Sequence, residues 1–258
     1  MKPLAELDGR AVRAVLFDID DTLTTAGKLT AQAYAALERL RAAGKRAVAV
    51  TGRPAGWCDH IARMWPVDAV VGENGAFYFL FTGGRLQKRY RDPPELRARN
   101  RHRLAEIAKG IVAAVPGCAV AADQAYRETD LAIDYCEDVP ALPLEAAERI
   151  AVLMRQAGLH AKLSSIHVNG WFGDYDKLAM ARQLFSEQFA IDLDAARAEI
   201  VYIGDSPNDA PMFEFFPKSV GVANVQRFAG ALPAAPKYIT GASSGAGFAE
   251  AVAHLLRA

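Results

Sequence analysis

Three carboxylates fall within four residues, at Asp18, Asp20 and Asp21, directly after the apolar run Val15-Leu16-Phe17. Fold stability does not ask for this arrangement. Carboxylates crowded at the end of a buried strand repel one another and resist leaving water. A cation among them relieves both penalties. If the strand continues, its period of two turns Asp18 and Asp20 toward one face and Ile19 toward the other. The pattern reads as a metal-assisted phosphoryl-transfer site. Such a site needs phosphate donors and further metal ligands from elsewhere in the chain.

Candidates for both lie far along the sequence. Thr51-Gly52-Arg53 follows the apolar run Ala47 to Val50, and Asp205, Ser206, Asn208 and Asp209 follow Ile200 to Gly204. Each set sits at the carboxyl end of a predicted parallel strand, where open α/β sheets bind ligands. Lys177 begins a predicted helix, where the helix dipole disfavours a cation. It is either an exposed lysine with a small local penalty or a cation placed there for an anion. Arg53 either touches phosphate or caps a strand end. Ser206 and Pro207 read as a helix start rather than as ligands.

The elements that must hold these residues follow from hydrophobic periodicity. Strands at Ala11 to Asp18, Arg46 to Val50 and Asp68 to Val71 alternate with helices at Thr30 to Ala43 and Pro54 to about Met64. That alternation predicts a parallel sheet covered by helices. Gly72-Glu73-Asn74-Gly75 is a turn, and Phe77 to Phe81 with Leu86 to Tyr90 flank Thr82-Gly83-Gly84 as a hairpin. Asp92-Pro93-Pro94 then breaks the chain. Between about 91 and 170 the order changes to a long helix at Glu95 to Val115, strands at Ala119 to Ala121 and Leu131 to Tyr135, a helix at Leu144 to Ala157 and strands at His160 to Leu163 and Ile166 to Asn169, an α+β unit inserted into the α/β domain. The parallel pattern resumes with a helix at Lys177 to Phe189, a strand at Ile200 to Gly204, a short helix at Asn208 to Phe215, strands at Ser219 to Val222 and Tyr238-Ile239, and a closing helix at Gly247 to Arg257. The fold class is therefore α/β, a Rossmann-like parallel sheet with helices on both faces plus an inserted α+β domain. The division is 1–90 and 171–258 for the core and 91–170 for the insert.

Asp18-x-Asp20-x-Thr22, Thr51-Gly52-Arg53, Lys177 and Gly204-Asp205-Ser206-Pro207-Asn208-Asp209, in that order, resemble the four motifs of the haloacid dehalogenase-like (HAD) phosphohydrolases. The insert resembles the type IIB cap of their Cof-like sugar-phosphatase branch, and Glu73-Asn74-Gly75-Ala76 resembles that branch's motif before the cap. The resemblance implies roles. Asp18 would attack phosphorus and form an aspartyl-phosphate. Asp20 would protonate the leaving alcohol and then act as base on water. Thr51 and Lys177 would hold the phosphoryl oxygens. Asp18, Asp205 and the backbone carbonyl of Asp20 would bind a metal, and an oxygen-only ligand set suggests Mg2+. Asn208 would orient phosphate, and Asp209, just behind, would orient Lys177. Asp18, Asp20, Asp205 and Asp209 bring four negative charges; Lys177, a divalent cation and one proton balance them. Asp21 departs from the glycine common at its position. Aspartate tolerates left-handed backbone, so Asp21 reads as a turn residue.

The rest of the chain narrows the partners. Its 258 residues are 52% hydrophobic, with 30 Lys+Arg against 30 Asp+Glu, so no global charge favours nucleic acid or a membrane. Cys58, Cys118 and Cys136 are an odd, scattered set and read as free thiols. No apolar run approaches 18 residues, which leads to the expectation of a cytoplasmic protein. Segment 85–103 is basic and segment 127–148 is acidic, read as solvated faces rather than a steering field. The five histidines show no ligand spacing, and Trp171 reads as a core aromatic. The expected function is a magnesium-dependent phosphatase acting on a small phosphorylated metabolite, a sugar phosphate. The alternatives are a phosphomutase of the phosphomannomutase type and a non-enzymatic phospho-acceptor or binding module. Receiver modules lack a second carboxylate at the plus-two position, so Asp20 separates the last alternative.

Overall fold

The computed structural model describes residues 1–230 and 232–257. In chain order the first part runs β1 (Lys2–Pro3), β2 (Ala14–Phe17), α1 (Ala31–Ala42), β3 (Arg46–Val50), α2 (Ala55–Met64), β4 (Ala69–Gly72), β5 (Phe77–Thr82) and β6 (Arg85–Tyr90). There follow α3 (Pro94–Ala114), β7 (Ala119–Val120), β8 (Asp130–Asp134), α4 (Leu144–Gln156), β9 (His160–Leu163) and β10 (His167–Trp171). The last part is α5 (Lys177–Phe189), α6 (Leu193–Ala196), β11 (Ile200–Gly204), α7 (Ala210–Phe215), β12 (Lys218–Gly221), β13 (Tyr238–Ile239) and α8 (Ser244–Leu255). Among the described residues no helix is long and apolar enough to cross a membrane.

The large sheet has the order β1-β13-β12-β11-β2-β3-β4-β5-β6, parallel through β4 and antiparallel at β5 and β6. β2 lies at its centre, with β3 on one side and β11, nearly 200 residues on, at the other. The crevice for a ligand therefore opens at the carboxyl ends of these three strands. Register aligns them: Phe17 pairs with Ala49 and with Ile203, and the Asp18 N–H donates to the Ile203 carbonyl at 2.9 Å. Alternation then decides which helix each side chain meets. Val15 and Phe17 pack with Leu37, Ile61 and Phe248 on one face, and Leu16 packs with Leu184, Phe185 and Phe213 on the other. Asp18 shares the parity of Leu16, so it turns toward the face that α5 covers.

The second sheet, β7-β8-β10-β9, is antiparallel throughout and backs onto α3 and α4 around its own apolar cluster, with Leu104, Ile111, Ile133, Ile150 and Met154 buried. β10 extends two residues beyond the expected end at Asn169, because Gly170 and Trp171 continue the ladder against Leu131 and Asp130. The basic band of 85–103 is largely partnered. Arg97 stacks on Tyr90 and bonds Glu128 at 2.8 Å, Arg103 stacks on Phe172, and Lys88 pairs with Asp59.

Other boundaries moved for local reasons. The helix expected from Asn208 begins with a 3-10 turn at Pro207–Asp209 and becomes α-helical at Ala210. The Asp209 carboxylate accepts from the Asp205 and Ser206 N–H groups and holds the tight turn. α8 starts at Ser244, before the expected Gly247, because glycines there let its first turn pack closely. A Cβ on Gly245 would press on the Leu23 carbonyl. Packing here overrides glycine's weak helix propensity. The edge strand β1 went unexpected, since a two-residue strand carries no periodic signal. Cys58, Cys118 and Cys136 are free thiols.

One turn fixes the start of α5. Gly75 has φ +111°, and a Cβ on it would run into the Asp176 carbonyl just before Lys177. The side chain of Asp176 caps α5 by accepting from Ala179 N–H at 2.8 Å. Gly75→Ala combines a strained φ with a backbone collision and should destabilise the fold by about 3 kcal/mol. A urea midpoint unchanged from wild type would contradict this placement.

Candidate active site

The carboxyl ends of β2 and β11 and the amino end of α5 meet at one buried cluster. The Lys177 ammonium lies 2.9 Å from Asp18 Oδ1, 2.7 Å from Asp209 Oδ1 and 3.4 Å from Asn208 Oδ1. Lys177 is 2% exposed, so the alternative of a solvent-exposed lysine is excluded. Burial alone would lower its pKa, but the charges of Asp18 and Asp209 overcome that and raise it. The lysine is therefore a permanent cation at a helix start, held there by two carboxylates.

Carboxyl oxygens of Asp18, Asp205 and Asp209 lie within 4.8 Å of one another. Burial raises the Asp18 carboxyl to about 7 against the pull of Lys177, with Asp209 and Asp20 adding to the rise. Burial, then Asp18 and Asp209, push Asp205 well above the carboxylate range. Lys177, with an Arg227 that Asp205 shares with Asp21, brings less positive charge than the carboxylates they face. An oxygen-only donor set with this charge deficit fits a hard divalent cation. The oxygens are not equally available. Asp209 has donors on both: Lys177 and the Tyr202 hydroxyl at 2.5 Å on Oδ1, the Asp205 and Ser206 N–H groups on Oδ2. Asp205 Oδ2 accepts from Asn224 at 3.0 Å and Arg227 at 3.1 Å, and the Thr22 hydroxyl is 3.3 Å from Oδ1. Among the described residues nothing donates to Asp18 Oδ2, which leaves it free to react or to ligate.

Two predicted residues sit differently from the rest. Asp20 turns away from Lys177 and is held by Arg53, through Nε at 3.0 Å and Nη2 at 2.9 Å. Thr51 is fully buried and its hydroxyl accepts from the Arg53 N–H at 3.0 Å. The small cavity beside Asp18 and Asp20 is walled on this side by Gly52 and Arg53, and on the far side by Ser164, His167 and Asn169 from the β9–β10 hairpin. Arg53 thus neither caps a strand end nor waits free for phosphate; it holds Asp20. Asp21 adopts the left-handed backbone expected of a turn residue, φ 54°, and its carboxylate also meets Arg227 at 3.0 Å.

A second buried node joins the two sheets. Glu73 is fully buried and accepts from the N–H groups of Ala55, Glu128, Thr129 and Asp130, and from the Thr129 hydroxyl. Burial and Asp130 raise its carboxyl to about 7, against the pull of Arg127. Arg127 pairs with Asp130 at 2.9 Å and Asp123 at 3.0 Å, and donates to the Gly52 carbonyl at 2.9 Å. The inserted segment is thereby tied to the loop after β3. Glu137, His167 and Asn169 had no distinguishing sequence signal; for Arg53 the Thr-Gly-Arg triplet was the only hint.

Residues 15–95 match the family model of haloacid dehalogenase-like hydrolases. No curated protein matches the chain significantly. Among solved structures, a Thermoplasma acidophilum protein superposes with a TM-score of 0.70 at 20% identity, covering 95% of this chain and 98% of that one. A HAD subclass IIB sugar phosphatase, BT4131, gives 0.62 at 16% identity over 94% and 98%. The sucrose-phosphatase of Synechocystis sp., solved with sucrose and phosphate, gives 0.62 at 17% identity over 95% and 98%. Residues 15–95, which carry β2 and β3, thus match the haloacid dehalogenase-like hydrolase model, and the fold of these solved structures extends along nearly the whole chain.

Proposed function

We propose that this protein is a cytoplasmic, magnesium-dependent phosphatase that hydrolyses a small phosphorylated metabolite, a sugar phosphate, through an aspartyl-phosphate on Asp18. The observation that carries the reading is the buried Lys177 between Asp18 and Asp209, with Asp205 alongside and Asp20 two residues on. The sugar preference is supported by fold likeness to sugar phosphatases. In this reading 1–90 and 171–258 form the catalytic core, and 91–170 the cap that closes over it. The three free thiols accord with a reducing compartment.

Asp18 Oδ2 attacks phosphorus, and the bond from phosphorus to the ester oxygen breaks. Asp20 gives that oxygen its proton, and the alcohol leaves. A water then attacks the aspartyl-phosphate, Asp20 takes its proton, and Asp18 and inorganic phosphate are regenerated. Lys177, the Thr51 hydroxyl and Asn208 hold the phosphoryl oxygens, and Asp209 with Tyr202 holds Lys177. Asp18, Asp205 and the Asp20 carbonyl would hold Mg2+, which supplies charge neutralisation to the phosphoryl oxygens. Arg227 and Asn224 on Oδ2 orient Asp205 for that task.

Phosphate release from a panel of phosphorylated metabolites with Mg2+ tests the reading. Asp18→Asn should lower kcat by about 1000-fold or more, and a phospho-adduct that survives on another residue would displace Asp18 as nucleophile. Asp20→Asn should slow turnover by roughly 100- to 10,000-fold while Mg2+ still binds; full turnover in that variant contradicts its proton-transfer role. Mg2+ binds the carboxylate form of Asp18, so protons compete below about pH 7. Calorimetric Mg2+ affinity should weaken by up to about tenfold per unit as pH falls below about 7, and more steeply where Asp205 is protonated as well. A pH-independent affinity across this range contradicts Asp18 as ligand.

A further inference from the structure

The wall facing Asp20 contains a guanidinium that has already met its anions. Arg53 is 3% exposed, and its fork is shared. One side holds Asp20; the other holds Glu137, with Nη2 at 2.5 Å from Oε1 and Nη1 at 3.3 Å from Oε2. Asp123 approaches Nη1 at 3.4 Å, and Trp57 covers the flat face with its ring centre 4.3 Å away. Glu137 Oε2 also lies 2.9 Å from His167 Nε2. Two of the side chains best able to receive an anion here, Arg53 and His167, are thus taken by one glutamate from the inserted domain.

Glu137 lies at the surface, but its backbone is fixed. It sits in a turn after β8 in which the N–H groups of Cys136, Glu137 and Asp138 all donate to Asp134, at 2.9, 2.8 and 2.8 Å. Burial would raise its carboxyl, but the neighbouring His167 and Arg53 bring it down to about 2, so it is ionised at any ordinary pH. The enclosed space beside Asp18 and Asp20 is about 10 Å³, room for no more than a water. A phosphoester's alcohol part must therefore enter along the face that Glu137, Arg53 and His167 form with Ser164 and Asn169.

On the phosphatase reading above, we propose that Glu137 is a specificity-determining residue. It occupies Arg53 and His167 as an internal anion, excludes leaving groups that carry a second anionic group, and reserves the site for esters of neutral, hydroxyl-bearing alcohols. A carboxylate on the leaving group must either displace a glutamate whose turn is pinned to Asp134 by three backbone N–H groups or lie against it. The Glu137 side chain is 27% exposed, so water screens part of this penalty, and what remains still disfavours the anionic group. Hydroxyl groups suffer neither penalty and can both donate to Glu137 and accept from Arg53.

Matched esters differing only in CH2OH against carboxylate test this: sorbitol 6-phosphate with 6-phosphogluconate, and glycerol 3-phosphate with 3-phosphoglycerate. Wild type should favour the neutral member of each pair in kcat/KM by about tenfold or more. Glu137→Gln should shrink that ratio to roughly two- or threefold, mainly by lowering KM for the anionic member. Glu137→Asp keeps the charge and should keep most of the exclusion, which separates charge from folding damage. A ratio unchanged in Glu137→Gln, or a wild type that prefers the anionic esters, overturns the assignment. If no ester is turned over, the phosphatase reading fails. The assignment of Glu137 is then decided by calorimetric binding of the same four esters to wild type and Glu137→Gln, in which the anionic members must gain affinity on substitution.

Discussion

A single ammonium group, that of Lys177, organises the centre of this molecule. It stands at the amino end of α5, where the helix dipole opposes it, and it is withdrawn from water. Only close carboxylates offset those penalties, and Asp18 and Asp209 provide them at 2.9 and 2.7 Å. A buried pair of this kind adds little net stability, but removing one partner strands a charge. Its geometry must therefore be held from several sides. Gly75 lets the loop after β4 pass against the start of α5, Asp176 caps that helix, and Tyr202 fixes Asp209 from β11. The neighbours in the large sheet bring these pieces to one edge because β2 lies between β3 and β11.

The same charge arithmetic extends outward. Lys177 answers two carboxylates but not Asp205, which leans on Arg227 and Asn224. Asp20 leans on Arg53, and Arg53 in turn on Glu137 and Asp123 of the inserted segment. Each added cation answers one carboxylate and reaches another. The inserted segment is joined to the core by Glu73, Arg127 and Asp130, all deeply buried and mutually bonded. Buried ionic nodes of this type specify register better than they stabilise. Here the register is that of the β9–β10 hairpin over the strand ends.

Much of the core was readable from sequence because its demands are local. The buried strands are short apolar runs, the helices repeat every three to four residues, and the candidate site residues follow strand ends or, for Lys177, open a helix. Lys177 to Phe189 and Ile200 to Gly204 fall where periodicity put them. The motif residues Asp18, Lys177, Asn208 and Asp209 meet because the parallel order forces them together. What sequence did not disclose is contact between distant positions. Arg53 reaches Asp20 across 33 residues and Glu137 across 84, and no periodic signal spans such a gap. Glu137 was one acid in an acidic stretch, and His167 one of five unremarkable histidines. Thr51 was placed at the right strand end, yet its burial leaves Gly52 to form the cavity wall.

Sharing Arg53 between Asp20 and Glu137 has a consequence for how the two domains act together. A guanidinium has one charge and a rigid planar fork, so its two carboxylates are geometrically coupled. Movement of the inserted segment that carries Glu137 away must leave Arg53 to Asp20 alone, or shift both. Asp20 is therefore linked through one guanidinium to the segment that carries Glu137. In a chain where Asp20 stood in open solvent, its position and that of the inserted segment would be independent. Here a 3% exposed arginine stands between them, and withdrawing Glu137 changes the charge that Arg53 and Asp20 share.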